Sequence, residues 1–456
     1  MPEAADTSAP VVVAGGGWAG LTAATDLCRH GIPVLLLEAA RQLGGRARSV
    51  HIGENLYDNG QHLLAGACHA LLALLRQVDV DPDTVMHRLP LTLQLYRGGD
   101  ITLRLRAARA LPAPLHLLAA LLGARGLALR ERLAALRFSR TLLRLNLAPA
   151  VDCSVQSLLD ADGQSPALIR KLWSPLCIAV MNTPPEAASA RLFANVLRAM
   201  LGGSSRNSDL LIPRRDLGAL LPVPCANYLE QHGGQVALRR RVTGFETDAN
   251  NIVAVHTGNG RTPCRQLILA TPHTVTRRLL SRHPALAPLA ARMSGLGHAP
   301  IATVYVHYPP DTRLPLPLAG FENALSQWVF DRRVCGQPGL MAVVISAQGT
   351  HLRQNAAGLI EQVAAELALA FPHWPAHREG RVLREKRATF HTHAGVDLLR
   401  PDHRTPVGGL WLAGDYTATD LPATLEGAVR SGLNCARAVR HALYGANMLN
   451  FRDAYT

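Results

Sequence analysis

Lysine is almost missing from this chain: Lys171 and Lys386 are the only two in 456 residues. Aromatic residues reach just 5%. The eight cysteines include no CxxC pair, so neither a zinc ribbon nor a disulfide framework is expected, and they read as reduced packing thiols. The histidines show no metal-ligand spacing, and no metal is expected. No Ser-His-Asp arrangement or Walker loop appears. No run approaches the roughly 20 uncharged apolar residues that span a bilayer. Met1 to Pro10 lacks the basic start and long apolar stretch of a signal peptide, which points to a cytoplasmic protein. What is abundant is arginine, which carries nearly all of the +14 net charge. Codon bias is one source of such a charge; attraction to an anionic surface is its functional reading. Few aromatics and no recognition motif argue against nucleic acid, leaving an anionic membrane face as the better partner. At 48% hydrophobic and 18% charged, the chain is globular and long enough for two sizeable domains.

The strongest local signal is Val11-Val12-Val13-Ala14 running into Gly15-x-Gly17-x-x-Gly20. A helical pattern containing Trp18 and Ala19 follows, then an apolar strand, Pro33 to Leu37, ending on Glu38. This is a β-turn-α-β unit closed by an acid at about the 20-residue spacing that suits a dinucleotide ribose. Gly15 permits a tight turn, Gly17 lets backbone approach a pyrophosphate, and Gly20 lets helix and strand pack closely. The helix N-terminus offers N–H donors to phosphate oxygens.

Further on, residues 63–78 look helical. Residues 102–150 are rich in Leu, Ala and Arg, with a helical period. Residues 217–231 read as a helix, followed by strands at 235–238, 242–247, 252–257 and 266–271. Strands at 301–308, 341–346 and 384–390 flank a helix near 356–370. A last strand, 409–413, leads through Gly414-Asp415 to a helix over 424–443. No internal repeat is evident.

These motifs resemble the flavin amine-oxidase and carotenoid-desaturase superfamily. The resemblance rests on the N-terminal fingerprint, Glu38, Gly44-Gly45-Arg46, Leu412-Ala413-Gly414-Asp415 and Leu425-Glu426-Gly427 through Gly432. It implies bound FAD, with Glu38 on the adenosine ribose, Gly44, Gly45 and Arg46 along the pyrophosphate and flavin, and Val242 at the adenine. Asp415 would meet the ribitol or pyrophosphate. The helix opening at Thr424, Leu425 and Glu426 would point its N-terminus at the flavin pyrimidine. A narrower resemblance, to the squalene-associated hydroxysqualene dehydroxylases, rests on Tyr57 to Leu64, Pro175 to Pro185, Asn195 to Arg198 and Asp209 to Pro213. It implies removal of an allylic hydroxyl from a C30 isoprenoid, giving squalene for hopanoid synthesis. The expected fold is α/β: a Rossmann-like FAD-binding domain in three segments (1–75, 209–280 and 401–456, the last with the C-terminal helix) and an α+β substrate domain of mixed sheet and helices (76–208, mostly helical and membrane-proximal, and 281–400).

By the same resemblance, Gly60, Gln61 and His62 pass beside the flavin. His62 is a candidate proton donor, with Asp58 orienting it, because imidazole titrates near neutral pH. The alternative is that His62 only packs or hydrogen-bonds the cofactor. Glu426 is a second possible acid or a structural anchor. Leu172, Trp173, Pro175, Leu176 and Met181 are candidate tunnel-lining residues, or plain core. Amine oxidases usually place a lysine near flavin N5, which two lysines make hard to supply. Polyisoprenoid desaturation stays open; a non-enzymatic FAD-bearing membrane or chaperone-like module is argued against by the flavin motifs at both ends of the chain. The reductant, NAD(P)H or a partner protein, is unread. Residues 102–150, including Arg104, Arg106 and Arg109, are either a peripheral contact with the inner membrane face or a helix pair packed on the core.

Overall fold

The computed structural model describes residues 9–145 and 151–445. A five-stranded parallel sheet runs in the order Gln235–Ala237, Val34–Leu37, Val11–Ala14, Leu267–Leu269, Leu410–Leu412. Its strands come from three separated parts of the chain, and all neighbours are parallel. A parallel sheet is covered on both faces, which is why these strands read as unbroken apolar runs. Helix Trp18–Arg29 is buried from Trp18 to Cys28, because helix Leu425–Tyr444, helix Pro222–Gln231 and the sheet all pack on it.

A second, mixed sheet has seven strands, in the order Glu379–Thr389, Ala299–His307, Leu340–Ser346, Trp328–Asp331, Leu318–Phe321, Thr92–Arg97, Asp100–Arg106. Side chains alternate between its faces. Ala302, Val304 and Val306, with Met341, Val343 and Ile345, pack under helix Ala356–Ala370. The intervening residues face the other way, toward helices Leu115–Leu122, Leu129–Arg144, Ser174–Met181 and Ala190–Leu201.

Several elements differ from expectation. The region before residue 110 is not helical: Met86–Leu89, Thr92–Arg97 and Asp100–Arg106 are strands. The Leu/Arg pattern there has period two, burying Leu103 and Leu105 and exposing Arg104 and Arg106. Helix begins only at Leu115. The expected helix at 63–78 starts at His69, because Leu64–Ala65 pairs with Leu210–Leu211. The 217–231 helix is split into Leu217–Leu220 and Pro222–Gln231 at Pro222, which has no N–H to continue the ladder. Strands Leu318–Phe321 and Trp328–Asp331 had no counterpart in the sequence reading. Expectations for residues 1–8, 146–150 and 446–456 lie outside the described residues. No described helix is long and apolar enough to cross a membrane.

Candidate active site

The first turn is shaped by backbone. Gly15 has φ +118°, and a Cβ there would lie 2.5 Å from the Ala270 carbonyl oxygen. A Cβ on Gly20 would sit 1.9 Å from the Gly15 carbonyl oxygen, so helix and strand meet at a distance only glycine allows. At the end of the second strand, Glu38 accepts from the Gly16 N–H through Oε2 and from the Ala40 N–H through Oε1, both at 2.7 Å. Each oxygen keeps a second lone pair for a ligand hydroxyl. Trp18 Nε1 donates to the Ala47 carbonyl at 2.9 Å, fastening the segment after Gly45 to the first helix. Arg46 ties three parts of the chain together, donating to Asp415 Oδ1 at 2.6 Å and to the Ala388 carbonyl at 2.8 Å. Thr424 Oγ1 accepts from the Gly427 N–H at 3.0 Å. The Leu425 and Glu426 N–H groups remain first-turn donors that the helix itself cannot satisfy.

These residues line one end of a continuous cavity of about 1500 Å³. Its wall carries Gly15, Gly17, Trp18, Ala19, Glu38, Gly44, Gly45 and Arg46, then Gly60, Gln61 and His62, Val242, Gly414 and Asp415, and Thr424, Leu425 and Glu426. Gly20 is not on the wall; it acts through packing. Glu426 takes the anchoring role: its carboxylate accepts from the Ala70 and Leu71 N–H groups at 3.2 and 2.9 Å and from Arg430 Nε at 2.8 Å, so it caps helix His69–Gln77.

Beyond the nucleotide end, the cavity runs over the mixed sheet. Strand register builds its floor in rows. Glu385, Ile301 and Ser346 stand side by side, and so do Leu383, Thr303, Val344 and Trp328. Phe330 and Leu318, then Leu93 and Leu105, continue it. All of these line the cavity, and every strand of the sheet contributes. At a strand spacing of ~4.8 Å, the floor is about 29 Å across. Leu172, Trp173 and Leu176 line the opposite wall, the first two from a π-helical turn at Ile169–Trp173. Pro175 and Met181 do not reach the wall, and Met181 is plain core.

His62 is on the same wall, three residues after the Asn59 whose amide bridges the Arg46 carbonyl and Glu385. Its Nδ1 is 2.8 Å from the Gly60 carbonyl oxygen, which only accepts, so Nδ1 carries a proton. Nε2 has no protein hydrogen-bond partner among the described residues, and the ring lines the cavity. Burial pushes the imidazole below its ordinary range, against the Gly60 carbonyl and the Asp58 charge. Asp58 does not orient it. That carboxylate lies off the wall, accepting from the Leu217 N–H at 2.8 Å and pairing with buried Arg332 at 2.7 Å. Arg332 also donates to Gln61 Oε1 at 2.8 Å, so the ion pair holds the turn rather than the ring. Sequence reasoning missed Arg332, Asn59, Glu385 and the floor. Only the alternation of residues 301–308 and 341–346 hinted at the floor.

The cavity exceeds the ~300–1,000 Å³ that takes one drug-sized ligand. With glycines giving close backbone approach and acids at each turn, its nucleotide end fits a flavin dinucleotide and leaves room for a long second molecule.

Comparison with known proteins agrees. The model of the family described as flavin containing amine oxidoreductase matches residues 18–440. The chain is 28% identical over 443 residues to the hydroxysqualene dehydroxylase of Rhodopseudomonas palustris, covering 95% of this chain and 98% of that protein. It is 24% identical to the chloroplastic/chromoplastic 15-cis-phytoene desaturase of Glycine max, covering 94% of this chain and 79% of that one. A solved oxidoreductase from Methanosarcina mazei superimposes with a TM-score of 0.73 at 15% identity, over 93% of this chain and 99% of that one, which speaks to the fold. The chain therefore belongs to the flavin containing amine oxidoreductase family and is an FAD-dependent oxidoreductase.

Proposed function

We propose that this enzyme reduces hydroxysqualene to squalene, removing an allylic hydroxyl as water, in squalene and hopanoid biosynthesis. The observation that carries the reading is the apolar floor, about 29 Å across at the ~4.8 Å strand spacing, which begins at the nucleotide end and draws on all seven strands. A long hydrocarbon fits such a surface; a small amine does not need it. Neither lysine lines the cavity: Lys171 Nζ donates to the Gly126 carbonyl at 2.8 Å, and Lys386 is exposed. The likeness in sequence to proteins named hydroxysqualene dehydroxylase supports the same substrate class.

In this reading Glu38 holds the adenosine ribose and Val242 borders the adenine. Gly17, Gly44, Gly45 and Arg46 lie along the pyrophosphate, and Asp415 and the N–H groups of Leu425 and Glu426 serve the ribitol and flavin. Bound and reduced, FAD supplies the hydride. The chain supplies the rest. The floor holds the hydrocarbon extended and keeps water away. His62, protonated on both nitrogens, gives its Nε2 proton to the departing hydroxyl, and Gly60 keeps the ring aimed.

Leu118 and Leu143 line the cavity yet are 39% and 37% exposed, so they mark its mouth. Leu115, Leu122, Leu129 and Leu133 are exposed on the same two helices. A water-insoluble substrate enters there from an anionic membrane face.

Anaerobic incubation with reduced FAD and hydroxysqualene, followed by product analysis, tests the reading. Squalene is expected, with deuterium from flavin N5 at the former carbinol carbon. Desaturation of a polyisoprenoid by oxidised FAD, without squalene, is the second reading, favoured by the likeness to the phytoene desaturases.

A further inference from the structure

We propose that Glu385 is the carboxylate that faces the reacting carbon of the substrate and stabilises the positive charge developing there; the inference rests on the dehydroxylation reading. Four carboxylates lie on the cavity wall: Glu38, Glu385, Asp415 and Glu426. Three serve the nucleotide end or pair with an arginine. Glu38 holds two backbone N–H groups, Asp415 is paired with Arg46, and Glu426 caps a helix and pairs with Arg430. Glu385 forms no ion pair within 4 Å among the described residues. Its Oε2 accepts from Asn59 Nδ2 at 3.1 Å and its Oε1 from the Arg387 N–H at 3.2 Å.

Its place in the fold is specific. Glu385 stands two residues after Leu383 on one strand, so both take the same face. Register sets Ile301 and then Ser346 beside it. It is the only ionisable side chain that the described seven-stranded sheet contributes to the cavity wall. The Asn59 amide that orients it also donates to the Arg46 carbonyl at 3.1 Å. Glu385 is thereby fixed at the seam where the Gly44-Gly45-Arg46 segment meets the apolar floor.

Dehydroxylation creates a charge that suits this seam. The C–O bond breaks with both electrons leaving on oxygen, which departs as water with the proton from His62. The carbon is then short of an electron pair, spread over the allylic system, until hydride from the reduced flavin fills it. The carbinol is reduced and the flavin oxidised. Glu385 is unchanged at the end. Half-buried Glu385 already acts on the Arg46 charge, and on the cavity wall its attraction for a cation is stronger than in water.

The test compares Glu385→Gln and Glu385→Asp with the wild type, all loaded with FAD. Glu385→Gln should lower kcat for hydroxysqualene by about 10²–10³-fold at unchanged KM, and Glu385→Asp should recover part of it. Loss of a negative charge at the seam should also move the flavin midpoint potential of Glu385→Gln in the positive direction, a readout that needs no substrate. Unchanged kcat, or a loss confined to KM, overturns the proposal. If Glu385→Gln fails to hold FAD, Glu385→Asp decides, and wild-type kcat in it overturns the proposal. If the wild type makes no squalene, the substrate reading has failed; an unmoved potential in Glu385→Gln then overturns the placement of Glu385 as well.

Discussion

At the nucleotide end of the cavity the wall is mostly backbone: glycines, a helix N-terminus and acids tied to N–H groups. Along the floor it is side chains on alternating positions of seven strands. The difference concerns tolerance. A backbone wall fails where an added Cβ would strike backbone, as at Gly15 and Gly20, whereas a side-chain floor accepts apolar exchange. Gly20→Val breaks the first kind of wall most completely. Its Cβ would meet the Gly15 carbonyl oxygen at 1.9 Å, with no flexible side chain to give way. Colourless or insoluble protein is the expected outcome, read from flavin absorbance after purification. A yellow, soluble Gly20→Val protein would show that the close helix–strand approach is dispensable.

His62 sharpens the contrast through pH. His62→Ala should slow turnover by about 10²–10⁴-fold with FAD content intact. Burial lowers the pKa of this imidazole, so the proton it donates is present only below the ordinary histidine range. kcat should therefore fall as pH rises through a value under 6.5, and the His62→Ala profile should lose that limb. A wild-type profile flat between pH 5 and 8 would assign the proton to another donor.

The nucleotide end was legible because its constraints are local. Gly15, Gly17, Gly20 and Glu38 fall within one β-α-β unit, and each residue type answers to one steric or hydrogen-bonding demand. The floor was not. Its rows join residues from three chain regions, through strands as short as Leu318–Phe321. Glu385 sits in Arg384-Glu385-Lys386-Arg387, a string that reads as solvent-facing until register turns one side chain inward. Arg332 and Asp58 lie 274 positions apart, with no local trace of their pairing. The Leu/Arg pattern near residue 104 misled because a short alternation and a helical stripe share many positions; the edge strand was settled by pairing of Leu95 with Leu103.

Glu38→Ala tests the nucleotide end more gently, removing side-chain acceptors while leaving the glycines. Charge-assisted hydrogen bonds contribute about 1.5–3 kcal/mol, so FAD should dissociate roughly 10–100-fold more readily. The apo protein should still refold around added FAD, as titration by flavin fluorescence would report. Unchanged affinity would mean that Glu38 serves only the Gly16 and Ala40 N–H groups it already holds.

The smallest effect is expected at the far end, where the floor opens to solvent. Leu118 and Leu143 belong both to the cavity wall and to the exposed surface. Arg104 and Arg106 project from the outer side of the edge strand whose Leu105 faces inward. A mouth with such an apolar lip, in a chain of net charge +14, suits an anionic bilayer. Each arginine near such a surface contributes about 1 kcal/mol, or roughly fivefold in partition. Leu118→Glu with Leu143→Glu should act through the apolar part, and Arg104, Arg106 and Arg109→Glu through the ionic part. Flotation with anionic liposomes separates the two: salt should weaken wild-type binding by screening, and it should have less left to weaken in the arginine variant. Turnover of substrate dissolved in detergent should change little in that variant, because no bilayer is involved. Wild-type protein that stays in solution beside anionic liposomes at low salt would return both helices to the role of a core cover, and the substrate would then have to be delivered by a protein.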